Sequence, residues 1–348
     1  MPADDSFEPA WWCPGPHLQT LWSTFFRRGP KISLRTERLE LPDGDFLDLH
    51  WTTNNGQATV IVLHGLEGCS QSPYARGLLH ALQRIGLRGV VMHFRGCSGT
   101  PNRLPRSYHS GDTADLAYLV QTLRQREPHT PLMAVGYSLG GNVLLKWLAE
   151  AGAQAPLVAA VAVSVPFVLA QSAERMNRGF SRAYQWKLLK SMRRRIHAKL
   201  AYMSLNISTT KLSRLRSFRQ FDDAVTAPLH GFNDADHYYA LASCRQYLSA
   251  IVVDTLILHA SDDPFMTEQA IPAADELSAH VQLELYATGG HVGFIAGPWP
   301  WRPNYWLEER IPRYLRQHLQ YDQGKRVYGD SKHPRSASAS QQKHYKSM

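Results

Sequence analysis

The chain has 348 residues, of which 44% are hydrophobic and 19% charged, as is ordinary for a globular protein. Its four scattered cysteines form no C-x-x-C pair, which excludes a disulfide framework and a cysteine metal site and indicates a reducing compartment. The net charge of +9 is unevenly distributed along the chain, because residues 171–220 hold 13 lysines and arginines against one acid. The main body of the chain is therefore not basic, which argues against a basic core that binds nucleic acid.

The sequence carries no clear membrane or export signal. The N-terminal residues lack the basic and apolar regions of a signal peptide, and the longest apolar run, 155–170, contains Pro166 and is short for a membrane span. We therefore expect a cytoplasmic protein, and the basic segment leaves peripheral contact with a membrane open.

Eight short runs predict strands. The first two flank the turn signal Pro42-Asp43-Gly44 and predict a hairpin, and the later runs are nearly continuous in apolar residues, as in strands buried on both faces. Stretches of helical pattern separate most of them, which predicts βαβ units and a mostly parallel sheet covered by helices. The predicted strands span residues 34–41, 45–51, 58–64, 88–94, 131–136, 158–164, 253–260 and 281–287.

One connection is longer than a crossover requires. About 90 residues separate the sixth and seventh predicted strands, whereas a crossover needs a single helix. Residues 166–245 are therefore predicted to form an inserted helical lid within a single domain over 1–322. The polar segment 323–348, rich in serine and lysine, is predicted to be a basic, disordered tail.

A candidate nucleophile lies between the fifth strand and the helix that follows it. The motif G-x-S-x-G, at Gly136, Ser138 and Gly140, is weak alone, but a strand–serine–helix junction is typical of a nucleophile elbow. The alternative is a serine that only caps a helix in a glycine-rich turn.

A serine nucleophile needs a base and an acid that orients it. His291 follows the eighth strand in a glycine-flanked loop and is the predicted base. Asp262 and Asp263 follow the seventh strand, and both remain candidates. We favour Asp263, because in the usual loop the acid stands three residues beyond the small residue that ends the strand, here Ala260.

An oxyanion hole requires two donors aimed at the developing charge. In this architecture one is the backbone N–H after the nucleophile, that of Leu139, and the other comes from the loop after the third strand, where we select Leu66. His64 is predicted to shape that loop, and Glu67 to bind locally without a catalytic role. Nothing in the sequence indicates a metal or an organic cofactor.

Together, several motifs resemble the YheT-like esterase branch (AB hydrolase 4 type) of the α/β-hydrolase superfamily, over about residues 7–320. The resemblance implies an α/β-hydrolase fold and a triad of Ser138, Asp263 and His291, in agreement with the reading of the residues themselves. The motifs are HGLEG (64–68), FRGCSG (94–99), YHSG (108–111), GYSLGGN (136–142), DDPF (262–265) and GGHVGF (289–294).

The predicted function is a serine hydrolase that cleaves small carboxylic esters with short to medium acyl chains through an acyl-enzyme. One alternative is acyl transfer to an alcohol, or lipase-like activity, at the same site. Another is a peripheral membrane-binding protein with a vestigial site, since basic helices lie readily on anionic lipid.

Overall fold

The computed structural model describes residues 6–27 and 29–330, the last eight of them as backbone only. Eight strands form one sheet in the order β1-β2-β4-β3-β5-β6-β7-β8, and a separate hairpin follows. The strands are β1 (Leu34–Glu40), β2 (Phe46–Thr52), β3 (Thr59–Leu63), β4 (Arg88–Met92), β5 (Leu132–Tyr137), β6 (Leu157–Val163), β7 (Thr255–Ala260), β8 (Val281–Tyr286), β9 (Ile295–Trp299) and β10 (Arg302–Tyr305).

The predicted eight-stranded, mostly parallel sheet is confirmed. Strand β2 pairs antiparallel with β1 and with β4, and every pair from β4 through β8 is parallel. The hairpin of β9 and β10 was not predicted, because its prolines interrupt the alternation that marks a strand and are tolerated only at edges.

The helices cover the sheet and fill the long connection. Short 3₁₀ turns and a π-helical turn at Asp222–Thr226 separate some of them. The helices are α1 (Pro16–Phe25), α2 (Pro73–Arg84), α3 (Ala114–Arg126), α4 (Leu139–Ala151), α5 (Leu169–Arg175), α6 (Ser181–Leu200), α7 (Thr209–Arg214), α8 (Phe218–Phe221), α9 (Ala227–His230), α10 (Ala235–Ala242) and α11 (Leu307–Asp330).

Two apolar cores sandwich the sheet. Along β3, Ile61 and Leu63 join the core under α3 and α4, whereas Val60 and Val62 join the core under α2 and α11. Successive side chains of a strand point to opposite faces, so a strand covered on both sides must be apolar throughout. This explains the unbroken apolar runs that made the strands recognisable in the sequence.

The connection between β6 and β7 is helical and carries α5 to α10. These helices have an apolar cluster of their own, which includes Leu189, Met192 and Ile196 of α6. No helix within residues 6–27 and 29–330 combines the length and the apolarity that crossing a membrane requires.

The C-terminal boundary differs from the prediction. The backbone of α11 continues as helix to Asp330, eight residues into the segment predicted to be disordered. Extending an existing helix requires no new nucleation, since each added residue is ordered singly and gains a hydrogen bond. Residues 331–348, the rest of the predicted tail, lie outside the described residues.

Buried histidines make the fold sensitive to acid. Burial lowers the pKa of His64, His109 and His230 to about 3 and that of His93 and His259 to about 4, from the ordinary 6.5. As the pH falls from about 6.5 to about 4, the unfolded chain takes up protons that the folded chain does not. The contribution of these histidines to the free energy of unfolding therefore decreases as the pH falls through this range.

Replacing His259 should remove part of this acid sensitivity. Its ring is fully buried and neither nitrogen has a hydrogen-bond partner among the described residues, so leucine removes the titration without breaking a hydrogen bond. Between pH 7.5 and pH 5, His259→Leu should lose about 2 kcal/mol less unfolding free energy than the unmodified chain, measured by urea denaturation. His197→Leu, at an exposed position of α6, should show the unmodified pH difference, and equal differences in both variants would contradict the assignment.

Candidate active site

Ser138 lies in the sharp turn between β5 and α4. Its φ of 53° and ψ of −119° place a non-glycine residue in a strained conformation, and its N–H donates to the carbonyl of Val163 at 2.8 Å. Strain of this kind persists only where surrounding contacts enforce it, and it is the defining geometry of a nucleophile elbow. The turn leaves the hydroxyl at the end of the parallel strands, facing a cavity.

Two glycines allow this turn. A Cβ on Gly136 would lie 2.5 Å from the carbonyl oxygen of Gly140, and a Cβ on Gly140 would lie 2.6 Å from that of Leu63. Real side chains do not approach backbone atoms so closely, so larger residues would push α4 away from β5 and β3. The glycines of the motif are therefore explained by packing, independently of any chemistry.

The structure brings the three predicted triad residues together. His291 Nε2 lies 3.0 Å from Ser138 Oγ, and His291 Nδ1 lies 2.8 Å from Asp263 Oδ2. Asp263 is almost fully buried, so its carboxylate has few polar partners to compete with the imidazole. Each ring nitrogen thus has one partner, which is the geometry that lets a histidine accept a proton from a serine.

The second candidate acid has a different position. Asp262 Oδ1 accepts a hydrogen bond from the N–H of Gly290 at 2.9 Å and so supports the backbone of the loop that carries His291. Of the two acids that the sequence left open, Asp263 is the one that contacts the imidazole.

Helix α1 and a phenyl ring hold the histidine in place. The N–H of His291 donates to Thr20 Oγ1 at 2.9 Å, and the ring of Phe265 stacks on the imidazole with centroids 3.9 Å apart. Buried Gln19 also accepts from the N–H of Ile295 at 2.6 Å. Sequence reasoning missed these supports, because Thr20 and Gln19 are 271 and 276 positions away from their partners and no local spacing links them.

The loop after β3 lies directly against the candidate nucleophile. A Cβ on Gly65 would lie 3.3 Å from Ser138 Cβ, and the N–H of Gly65 donates to the Tyr74 hydroxyl at 2.9 Å. Leu66, the next residue, lines the same cavity as Ser138 and Leu139. Both predicted oxyanion-hole residues therefore lie on segments that border Ser138.

His64 contributes to the shape of this loop. Its Nδ1 lies 2.8 Å from the Gly65 carbonyl, and its Nε2 accepts a hydrogen bond from the N–H of Phe94 at 3.2 Å. Both nitrogens are occupied by backbone groups in a fully buried ring, so His64 is not placed to act as a second base.

The cavity in front of Ser138 is mostly apolar and is walled by the lid. It encloses about 970 Å³ of empty space, counted with its open mouth. Most of the lining side chains are aliphatic or aromatic, and many of these come from the connection between β6 and β7, including Met176, Leu188, Met192, Ile196, Phe218 and Val225. A pocket of this kind binds an alkyl chain through the hydrophobic effect.

A polar group lies at the cavity wall. His109, Asp112 and His230 each present a potential metal-ligand atom, and these atoms lie within 4.8 Å of one another. However, Asp112 already accepts a hydrogen bond from Arg106 at 2.8 Å, and burial together with the charges of Arg106 and Lys146 lowers the pKa of His109 to about 3. The same positive charges oppose a bound cation, so the group suits polar contacts better than a metal.

Comparison with known proteins identifies the family. A family model described as "alpha/beta hydrolase fold" matches residues 58–298. "Putative esterase YheT" of Escherichia coli is 48% identical over 310 residues, which cover 87% of this chain and 91% of that protein. Mouse "Phospholipase ABHD3" is 30% identical, with 86% of this chain and 76% of that protein covered.

A solved structure supports the fold. The Pyrococcus furiosus esterase Pf2001 aligns with a TM-score of 0.53 at 17% sequence identity, over 82% of this chain and 93% of its own. At that identity the likeness concerns the architecture alone. With a family model that matches most of the chain and a relative that is 48% identical over nearly its whole length, this protein belongs to the α/β-hydrolase superfamily, in the branch that contains YheT.

Proposed function

We propose that this protein is a serine hydrolase that cleaves carboxylic esters, with Ser138 as nucleophile, His291 as base and Asp263 as orienting acid. The observation that carries the proposal is the pair of contacts from His291, 3.0 Å to Ser138 Oγ and 2.8 Å to Asp263 Oδ2, at the wall of an apolar cavity. Intact contacts in a strained elbow favour an active enzyme over a vestigial site.

The reaction follows from these positions. Ser138 Oγ attacks the ester carbonyl while His291 Nε2 takes its proton, and the N–H groups of Leu66 and Leu139 stabilise the negative oxygen. His291 then protonates the departing alcohol, which leaves the acyl group on Ser138. A water molecule, deprotonated by His291, then attacks the acyl carbonyl, the bond to Ser138 Oγ breaks, and His291 returns the proton to Oγ as the acid departs. If an alcohol takes the place of water, the same steps transfer the acyl group, so acyl transfer remains an alternative.

The cavity favours acyl chains as the bound part of the substrate. Burial of each methylene contributes about 0.8 kcal/mol, and the wall offers little polar surface to oppose it. The names of the relatives, an esterase and a phospholipase, support an ester of a fatty acid. We infer a substrate with a short to medium acyl chain. Lipase-like activity on lipid esters at the same site is the alternative.

Removing the nucleophile should abolish the activity. Ser138→Ala should lower the hydrolysis of p-nitrophenyl esters by at least about 10³-fold and prevent labelling by a fluorophosphonate probe. A series of acyl chains from short to long measures the chain preference in the same assay.

Ser208→Ala, at the exposed N-cap of α7, is the matched control and should keep both activity and labelling. An unmodified chain that hydrolyses no ester of the series and takes no label would refute the proposal.

Replacing Asp263 should lower kcat much more than replacing its neighbour Asp262. Asp263→Asn removes the charge that orients His291 and should lower kcat by about 10³- to 10⁴-fold. Asp262→Asn changes only the acceptor of the Gly290 N–H and should cost less than about 10-fold. Steady-state kinetics of both variants on one ester provide the comparison, and a reversed order of losses would overturn the assignment of Asp263.

A second proposal concerns a surface formed by the lid and the end of α1, which we call the basic aromatic patch. It combines four side chains that are more than half exposed, Phe25, Phe26, Phe180 and Trp186, with the exposed basic residues Arg182, Lys187, Lys190 and Arg194. Several of these groups lie next to one another: the Lys187 ammonium lies 5.9 Å from the centroid of the Phe25 ring, the Lys190 ammonium lies 5.4 Å from that of Trp186, and the Phe25 and Phe26 ring centroids are 6.5 Å apart.

The composition of the patch matches an anionic membrane surface. Aromatic rings favour the level of the lipid headgroups, and each basic residue near an anionic surface contributes about 1 kcal/mol. The opposite face of α6 lines the cavity through Leu188, Met192 and Ile196, so a membrane at the patch would lie one helix away from the acyl pocket. We propose peripheral contact of this kind for a cytoplasmic enzyme that acts on lipid esters.

Reversing two charges of the patch should weaken membrane binding. Lys187→Glu combined with Lys190→Glu should lower cosedimentation with phosphatidylcholine vesicles that contain phosphatidylglycerol by more than about 10-fold. Binding of the unmodified chain should fall as salt is raised and should be weak without the anionic lipid.

The matched control makes the same change of charge elsewhere. Arg84 and Arg316 are exposed near the N-terminal end of β4, whereas Ser138 lies at the C-terminal ends of the parallel strands. The double variant Arg84→Glu with Arg316→Glu should therefore bind membranes like the unmodified chain. Equal losses of vesicle binding in the two double variants, or binding that salt does not affect, would refute the proposal that the patch binds anionic membranes.

A further inference from the structure

A single arginine of the lid reaches the loop that borders Ser138. Arg195 projects from α6, and its Nη2 forms an ion pair with Glu67 Oε1 in which both side chains are largely buried, at 13% and 9% exposure. Its Nη1 also lies 3.0 Å from Cys97 Sγ in the loop after β4. One guanidinium thus joins the lid to two loops of the hydrolase core.

Tyr108 completes the contact around Glu67. The Tyr108 hydroxyl accepts a hydrogen bond from the N–H of Glu67 at 2.9 Å and donates to Glu67 Oε1 at 3.1 Å. The Arg195 guanidinium carbon lies 4.6 Å from the centroid of the Tyr108 ring. Both the backbone and the side chain of Glu67 are therefore held, although its φ of 58° is unusual for a residue with a side chain.

The position of Glu67 links these contacts to the reaction. Glu67 follows Leu66, whose N–H we propose as an oxyanion donor, so a displacement of Glu67 is transmitted through Leu66 to the peptide that carries this N–H. Leu66 itself packs against the apolar cluster of the lid as well as against the core. The loop is thus fastened to the lid by an apolar contact and, one residue later, by an ion pair.

A contribution to folding stability does not explain why the ion pair between Arg195 and Glu67 is buried. Removing two charges from water costs about as much as their attraction returns, so a buried pair contributes little net stability, and its best attested use is to fix one arrangement. In this place the arrangement that it fixes is the loop geometry next to the nucleophile.

We propose that Arg195 is a positioning residue that couples the lid to the oxyanion hole. With the lid over the cavity, Arg195 and Tyr108 hold Glu67 and thereby aim the Leu66 N–H at the reacting carbonyl. When α6 moves away, the ion pair breaks and the donor loses its alignment. The inference rests on the proposed esterase function and assigns to the lid a role in transition-state stabilisation besides covering the substrate.

Kinetics separate this role from a structural one. Arg195→Met and Glu67→Gln should each lower kcat on the best p-nitrophenyl ester by about 10- to 100-fold with little change in KM, because the donor acts mainly in the transition state. Affinity for an alkyl trifluoromethyl ketone, which forms a tetrahedral adduct, should fall in parallel. The double variant should lose no more than the worse single variant, and Arg195→Lys should recover part of the loss.

Arg193→Met is the matched control. Arg193 lies on the same helix but donates to the carbonyl of Leu215 inside the lid, so its loss perturbs the lid without touching the loop. It should keep kcat near that of the unmodified chain. Multiplicative losses in the double variant, or equal losses in Arg193→Met and Arg195→Met, would overturn the proposal.

Hydrogen exchange tests the coupling without turnover. Amides of residues 64–68 should exchange faster in Arg195→Met than in the unmodified chain or in Arg193→Met. If the chain hydrolyses no ester but exchange still rises, the esterase function fails while the coupling of lid and loop stands. Unchanged exchange in this loop would overturn the coupling whatever the activity.

Discussion

The close approach of α4 to β5 and β3 is the constraint on which the site depends. It allows Ser138 to occupy its strained turn, and it is possible only because glycine stands at positions 136 and 140. The same approach brings the loop of Gly65 against Ser138, and the backbone of β6 secures the turn through Val163. The candidate nucleophile and the proposed oxyanion donors thus derive their geometry from how three neighbouring strands and one helix pack.

Helix α6 performs three tasks with three sides. Its apolar side lines the cavity in front of Ser138, its exposed side carries the basic aromatic patch, and Arg195 reaches the loop beside Ser138. A helix presents a new direction at every residue, so one element can serve a ligand, a surface and a catalytic loop at once. A movement of α6 would therefore alter substrate burial and loop alignment together.

The sequence predicted those features that depend on local pattern. Strands buried on both faces are apolar throughout, and Ser138 and His291 stand next to strand ends, where parallel sheets place their sites. It favoured Asp263 over Asp262 by position in the loop alone, because adjacent residues in a loop differ mainly in the direction of their side chains, which the sequence does not show. The contacts of Thr20 with His291 and of Arg195 with Glu67 join distant parts of the chain, and no local spacing reveals them. Sequence reasoning gave Glu67 no catalytic role for the same reason.

The hydrogen bond between Thr20 and His291 joins residues 271 positions apart. Almost the whole chain must therefore be synthesised before the loop of the histidine can settle, whereas β1 through β5 can begin to pair much earlier. A nascent chain would pass through a stage in which the first strands of the sheet and Thr20 are present but the histidine loop is not. The contacts of His291 with Ser138 and Asp263 can therefore form only after residue 291 has been synthesised, later than the strand that carries Ser138.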